Sequence, residues 1–179
     1  MTIQYSFANA NATAYVGLKN YTDILTDSSF LQTLFNNLLW IIIVPAACVI
    51  LGLGVATLAD RLAPRGEKLS KTIIFLPMAI SMVGAATIWR AIYESQPVGT
   101  AQTGLLNAIR EWFGRDPVFW YGVEKLHFNS ILLMIIFIWT QVGYSMVLLS
   151  AAIKSVPDDT IEAGRIDGAG EKRIFFSII

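Results

Sequence analysis

The chain has 179 residues, of which 55% are hydrophobic and only 15% charged, whereas about 25% of residues are charged in soluble domains. Its 13 basic and 13 acidic residues cancel to a formal net charge of zero, so it lacks the basic field that nucleic-acid binding requires. The single cysteine, Cys48, excludes an intramolecular disulfide and a multi-cysteine metal site. This composition indicates an integral membrane protein, and the long apolar runs described below predict an all-α fold.

The first 37 residues form a lead-in with one basic residue, Lys19. They have neither the basic start nor the continuous apolar core of a signal peptide. Residues 1–37 are expected to form an external lead-in segment, on the side of the membrane that the basic residues discussed below determine.

Three apolar segments follow, and each is long enough to cross a bilayer as a helix. The first, about 38–59, is free of charge over 22 residues, or about 33 Å of helix. The second, about 72–93, begins with 18 uncharged residues, and the third, about 130–153, is the longest. Pro45 and Pro77 lie inside the first two segments and predict kinks.

Basic residues fix the predicted orientation. The linker 60–71 contains Arg61, Arg65, Lys68 and Lys71. By the positive-inside rule this linker is cytoplasmic. The lead-in and the loop 94–129 are then external, and residues 154–179 return to the cytoplasm.

Small residues recur every four positions on the first span, at Cys48, Gly52 and Ala56. Such a stripe allows another helix to approach closely. Chance placement in an Ala- and Gly-rich span explains the pattern equally well, and the sequence leaves both interpretations open.

The external loop contains the stretch TGLLNAIREWFG, which predicts a short amphipathic helix. Its apolar residues fall on one face: Leu105, Leu106, Ile109, Trp112 and Phe113. We expect this helix to lie on the membrane surface or to cap the bundle. A ligand-contacting role is the alternative.

A helix-turn-helix is predicted after the third span. Ser155 stands three residues before Asp158 in the manner of a capping box and marks a helix start. Arg165 lies toward the negative end of this helix, and Gly168 is placed to adopt the left-handed conformation that ends it. The side chain of Asp167 is expected to bond nearby backbone N–H groups and so close the turn.

The second helix of this hairpin is expected to pack under the membrane domain through Ile174, Phe175, Ile178 and Ile179. The turn itself lacks bulk, with small residues at Ala163, Gly164, Gly168, Ala169 and Gly170. Such a shape suits docking by another protein. A solvated hairpin whose glycines serve only the turn is the alternative.

The stretch EAGRIDGA, residues 162–169, resembles the EAA signature of permease subunits in binding-protein-dependent ABC importers, roughly E-A-A-x-x-D-G-A followed by Phe and Ile. The matching residues are Glu162, Ala163, Asp167, Gly168, Ala169, Phe175 and Ile178. Gly164 departs from the preferred Ala, which lowers helix propensity by about 1 kcal/mol. Further blocks, YVGLKNYTDIL, IIFLPMAIS, IWRAIY and TGLLNAI, resemble sugar permeases of the MalF-like, carbohydrate-uptake group.

This resemblance implies a helical bundle like the transmembrane domain of a type I ABC importer, in the plasma (inner) membrane of a prokaryote. It implies that Glu162, Ala163 and Gly164 contact the ATPase. It also implies that Asp167 and Gly168 shape the turn and that Ala169 provides close packing. Family permeases have helices before the lead-in and after the EAA loop, so the chain is expected to be truncated at both ends.

The implied partners are cytoplasmic ABC ATPase subunits, a second permease subunit, an extracytoplasmic sugar-binding protein and the lipid bilayer. No G-x-x-x-x-G-K-[ST] motif occurs in the chain. ATP and magnesium are therefore assigned to the partner ATPase, and no cofactor is expected in this chain.

Two other classes of protein are the alternatives: a small membrane adaptor that recruits a cytoplasmic protein, and a membrane-embedded enzyme. His127 is the only histidine and has no cysteine or paired carboxylate at readable spacing, so no catalytic or metal-binding residue is predicted. On the third span, Gln141, Tyr144 and Ser145 either face a sugar pathway or bond a neighbouring helix. The sequence does not identify the sugar.

Overall fold

The computed structural model describes residues 2–123 and 127–177, and over these residues the fold is all-α, as predicted. The helices are α1 (Thr2–Tyr5), α2 (Lys19–Thr26), α3 (Ser28–Ala59), α4 (Pro64–Phe75), α5 (Met82–Tyr93), α6 (Leu105–Trp112), α7 (Phe128–Lys154), α8 (Asp158–Ile166) and α9 (Glu171–Ser177). Two short 3-10 helices occupy Leu76–Ala79 and Trp120–Gly122. An isolated antiparallel bridge joins Ala8 to Tyr15.

The chain divides into two compact units, one ending at Ile42 and the other beginning at Ile43. In the first unit, the Asn20 amide donates hydrogen bonds to the carbonyl oxygens of Ser6 and Ala8 at 2.9 and 2.8 Å. The Phe7 ring lies 5.4 Å from the Tyr21 ring. These contacts give the lead-in a local fold that the sequence did not predict.

Helix α3 begins at Ser28, well before the start at about 38 that the charge-free window predicted. The reason is an N-cap: the Asp27 carboxylate accepts a hydrogen bond from the Phe30 N–H at 2.7 Å. The helix continues through Pro45 to Ala59. With 32 residues, α3 is long and apolar enough to cross a membrane, and so is α7 with 27.

The second predicted span, about 72–93, is not one kinked helix. Helix α4 begins at Pro64, passes into the 3-10 helix that ends at Ala79, and then meets α5 at an angle of 101°. Pro77 lacks the N–H that a continuous helix needs. Beyond it, the hydroxyl of Ser81 accepts a hydrogen bond from the Gly84 N–H at 3.1 Å and starts a new helix.

The small-residue stripe on α3 is a packing surface. Cys48, Gly52 and Ala56 are all buried. A Cβ added at Gly52 would lie 2.8 Å from the Ser145 Cβ and 2.9 Å from the Met146 backbone nitrogen. Helix α7 therefore approaches α3 closely at this glycine.

Helix α7 approaches α4 just as closely. A Cβ added at Gly143 would lie 2.5 Å from the carbonyl oxygen of Ile74 and 2.7 Å from the Cα of Phe75. The contacts at Gly52 and Gly143 place α7 between α3 and α4 in the core of the second unit.

The connection between α5 and α7 is organised by Asn107 of α6, which is fully buried. Its amide nitrogen donates to the carbonyl oxygens of Glu94 and Val118 at 3.2 and 3.0 Å, and its oxygen accepts from the Val118 N–H at 3.0 Å. By contrast, Trp112 and Phe113 are 83% and 69% exposed. The residue that anchors α6 is thus polar, and most of the predicted apolar face of α6 is exposed in this chain.

Candidate coupling site

The start of α8 differs from the predicted capping box. The Ser155 hydroxyl donates to the carbonyl oxygen of Ala152 and so belongs to the end of α7. Pro157 occupies the N-cap of α8 and supplies no side-chain hydrogen bond. Asp158 and Asp159 lie in the first turn, where negative charge is favourable. The helix therefore starts because of proline geometry and the acidic first turn.

The end of α8 forms as Gly168 predicts. Gly168 has a φ of +79°, and its N–H donates to the carbonyl oxygen of Arg165 at 3.0 Å. The next N–H, of Ala169, donates to the carbonyl oxygen of Gly164 at 3.0 Å. These two bonds make a Schellman motif, which satisfies carbonyl groups that the helix end would leave open.

The predicted role of the Asp167 side chain is wrong. The Asp167 backbone N–H donates to the carbonyl oxygen of Ala163 at 3.0 Å. Within the described residues its carboxylate accepts no hydrogen bond, since the two bonds of the Schellman motif already close the turn. Its side chain is exposed and available to a partner.

An ion pair that the sequence analysis missed joins α8 to α9. The Arg165 guanidinium donates to the Glu171 carboxylate, with an Nε–Oε1 distance of 2.9 Å. This bond raises the pKa of Arg165 above its ordinary value. The spacing of six residues matches no regular helix pair because the turn lies between the two side chains.

Helix α8 exposes most of the residues that resemble the EAA signature. Glu162, Ala163, Asp167 and Gly168 are exposed, and Gly164 and Ala169 are half-buried. The apolar side chain of Ile166 is 82% exposed. The surface of α8 is thus small, partly acidic and free in this chain.

Helix α9 is anchored by one buried side chain. Ile174 is only 1% exposed, and Phe175 is half-buried. A cavity of about 450 Å³ separates this helix from the ends of α3 and α7, with Thr57 and Ile153 in its lining. Ile174 is thus buried as predicted, whereas the packing of α9 against the membrane helices stays a prediction; Ile178 and Ile179 lie outside the described residues.

A cluster of charged side chains joins α3, α4 and α7 where α8 begins. We call it the charge cluster and define it as Asp60, Glu67, Lys71, Ser150 and Lys154. The Lys71 ammonium lies 2.6 Å from the Asp60 carboxylate and 2.7 Å from the Glu67 carboxylate. It also donates to the Ser150 hydroxyl, which donates to Asp60 at 3.1 Å.

Lys154 completes this cluster at the last residue of α7. Its ammonium pairs with Glu67 and lies 3.6 Å from Asp60. Two carboxylates thus balance two ammonium groups. The sequence did not predict this network, because its members lie up to 90 residues apart in the chain.

The three polar positions proposed for a sugar pathway on α7 lie in different surroundings. Ser145 faces α3, with its Cβ against Gly52. Tyr144 is 47% exposed, and Gln141 is half-buried. Ser145 thus lies at a helix contact, and the assignment of all three residues to a pathway stays a prediction.

The sequence that forms these helices and this cluster matches a known protein family. Residues 28–179 match the family described as the inner membrane component of binding-protein-dependent transport systems. The chain belongs to this family. The match covers both long apolar helices, the charge cluster and α8, so the predicted resemblance to permease subunits is confirmed.

Among the relatives of this permease-family chain is the alpha-glucoside transport system permease protein AglF of Rhizobium meliloti, 47% identical over 92% of the chain. Another is the osmoprotective compounds uptake permease protein GgtC of Synechocystis sp., 48% identical over 99% of the chain. The chain spans 48% and 62% of the length of these two proteins.

A solved structure shares the fold of this permease-family chain. It is a bacterial ABC transporter involved in the import of the acidic polysaccharide alginate, with a TM-score of 0.75 and 20% sequence identity. The match covers 99% of this chain and 58% of that one. The helical fold of this chain is therefore shared with a chain of that transporter.

Proposed function

We propose that the chain forms part of a permease subunit of an ATP-driven sugar importer and couples to a separate cytoplasmic ATPase through α8. The observation that carries this proposal is the form of α8. It is a short exposed helix with a small surface, ended by a Schellman turn and joined to the membrane helix α7 by three residues. A partner that moves α8 therefore acts directly on α7.

The proposed orientation places α8 and the linker 60–71 in the cytoplasm of a prokaryote and the lead-in outside. Lys71 is neutralised in the charge cluster, but Arg61, Arg65 and Lys68 form no ion pair with any described residue. Three exposed cations thus remain in this linker, and the positive-inside rule assigns their side to the cytoplasm.

We further propose a carbohydrate as the cargo, delivered by an extracytoplasmic binding protein to a pathway that a second permease subunit completes. Two relatives at 47% and 48% identity carry names that refer to alpha-glucosides and to osmoprotective compounds. On α7, Gln141 and Tyr144 are the proposed pathway positions. Ser145 is assigned instead to the contact with α3.

The test of coupling is Glu162→Lys in the assembled transporter. Reversing an exposed charge on α8 leaves its fold intact, so membrane insertion should persist while ATP-driven sugar uptake is lost. The matched control is Glu111→Lys on the exposed end of α6, which should leave uptake unchanged. Wild-type uptake in the Glu162 variant would contradict the proposal.

Orientation is tested separately by thiol labelling. A cysteine at Glu162 should react with a membrane-impermeant reagent only from the cytoplasmic side, and a cysteine at Arg115 only from outside. Crosslinking from the Glu162 position should capture an ATP hydrolase. Binding of that partner without any transport by the complete assembly would favour an adaptor.

A further inference from the structure

The charge cluster holds α4 against the end of α7 from which α8 starts. Glu67 and Lys71 belong to α4, Ser150 and Lys154 to the last two turns of α7, and Asp60 follows α3. The side chains of Asp60, Glu67 and Lys71 are 16%, 21% and 19% exposed, while Lys154 is 52% exposed. Ion pairs that are partly shielded from water are stronger than fully exposed ones.

A second contact fixes the same two helices to each other. The backbone of α4 at Ile74 and Phe75 touches Gly143 of α7, as described above. Gly143 lies three helical turns before Lys154, since 11 residues at 3.6 per turn separate them. Two well-separated contacts on one helix pair prevent α4 from pivoting on α7.

The connection from α7 to α8 is short and constrained. Only residues 155–157 separate Lys154 from Asp158, and Pro157 restricts the backbone. The Ser155 N–H donates to the carbonyl oxygens of Ala151 and Ala152, both at 3.1 Å. A displacement of α8 is therefore transmitted to the end of α7, where Lys154 lies.

At its other end, α4 is separated from α5 by the 101° bend. Ile80 is extended there, with φ −81° and ψ 135°. A break of this kind lets two helices change their angle at a few residues. Helix α5 also packs on α7, since the Trp89 and Trp139 rings lie 5.8 Å apart and the Tyr93 hydroxyl donates to the carbonyl oxygen of Leu132 at 3.4 Å.

We propose that the charge cluster makes α4 and α7 move as one body with α8, so that Glu67 and Lys154 are positioning residues for transport. Displacement of α8 would then be transmitted to α4 as well as to α7. This inference rests on the proposed function and adds residues outside the EAA-like stretch to the coupling apparatus.

The decisive experiment uses Glu67→Cys with Lys154→Cys in the complete transporter, with Cys48→Ala to remove the buried native thiol. Without a crosslinker the pair is broken, and sugar transported per ATP hydrolysed should fall about threefold or more. A short thiol-reactive crosslinker that rejoins the two positions should restore the ratio. Wild-type-like coupling in the broken state, or loss of transport on crosslinking, would overturn the proposal.

A simpler variant, Lys154→Met, should also lower transport per ATP while hydrolysis continues. Its control is Lys68→Met on the exposed face of α4, where the lysine has no ion pair with a described residue, and the ratio should not change. Equal ratios for the two variants would also overturn the proposal. If Lys154→Met fails to assemble, the crosslinked pair alone decides the question.

Failure of this inference is distinguishable from failure of the proposed function. The proposed function fails if the wild-type assembly shows no ATP-driven uptake or if Glu162→Lys has no effect. The inference fails when the wild-type assembly does show ATP-driven uptake and Glu162→Lys does abolish it, but the crosslinked and broken pairs transport with the same ratio or crosslinking stops transport.

Discussion

The α3–α7 contact and the α8–α9 turn both depend on glycine, but for opposite reasons. At Gly52 the backbone conformation is ordinary helix, and another helix occupies the space where a side chain would be. At Gly168 the surrounding space is open, with no atom within 4 Å of an added Cβ, and the φ of +79° requires the glycine. Tertiary neighbours fix the first site, whereas local backbone geometry fixes the second.

This difference shows how the chain combines a rigid body with an accessible helix. The membrane helices lie close because small residues remove the side chains between them. The end of α8 is closed by its own backbone hydrogen bonds and needs no neighbour, and the surface of the helix is exposed in this chain. A helix that satisfies its own end is suited to contact another protein.

The largest contrast is expected between Gly52→Ala and Gly54→Ala, two residues apart on α3. An added methyl at Gly52 overlaps the α7 backbone and should destabilise the protein by about 1–3 kcal/mol. At Gly54 nothing lies within 4 Å, so alanine should stabilise the helix by about 0.5–1 kcal/mol. Thermal unfolding of the purified protein in detergent measures both effects. Equal shifts of the unfolding temperature in the two variants would contradict the assignment of Gly52 to a close helix contact.

Hydropathy and length were sufficient to predict α3 and α7 as membrane helices, since a long charge-free run has few other stable structures. Hydropathy did not predict the helix break at Ser81. A single serine barely changes the mean hydropathy of an apolar segment, whether or not its side chain caps a helix. Hydropathy also placed the start of α3 too late, since the N-cap Asp27 lies outside the apolar window.

A second prediction concerns the other site that neighbours fix, Asn107 of α6. Asn107→Ala removes three hydrogen bonds and leaves the Val118 N–H without its partner, which should cost about 1–3 kcal/mol. The control, Asn37→Ala, removes one bond of an exposed side chain within its own helix and should be close to neutral. Faster hydrogen exchange across residues 94–118 in the Asn107 variant alone would confirm the assignment.

At the candidate site, the sequence predicted correctly a feature that depends only on residues adjacent in the chain. Gly168 was predicted to end the helix in the left-handed conformation, and its φ of +79° confirms this. Asn107 and the charge cluster were not predicted, because their partners are distant in sequence and become neighbours only when the helices pack. The residues of the EAA-like stretch came from a family resemblance, and their individual roles in coupling stay predictions.

The third prediction tests the locally fixed site. Gly168→Ala places a Cβ in the left-handed region and should destabilise the turn by about 1 kcal/mol. Gly168→Asn should cost less, since asparagine tolerates this conformation. Hydrogen exchange of the Ala169 N–H, which closes the Schellman motif, reports the change directly. If the alanine variant exchanged no faster than wild type, the glycine would not be required by its backbone.

The smallest effect is expected at the Arg165–Glu171 ion pair, because both side chains are more than half exposed and water screens their attraction. Arg165→Gln should leave the unfolding midpoint nearly unchanged and should loosen only the angle between α8 and α9. The residual effect should vanish at high salt, since salt screens exposed charges, while the Gly168 effect should persist. A salt-insensitive loss of stability in Arg165→Gln would mean that Arg165 stabilises the hairpin through packing and not through its charge.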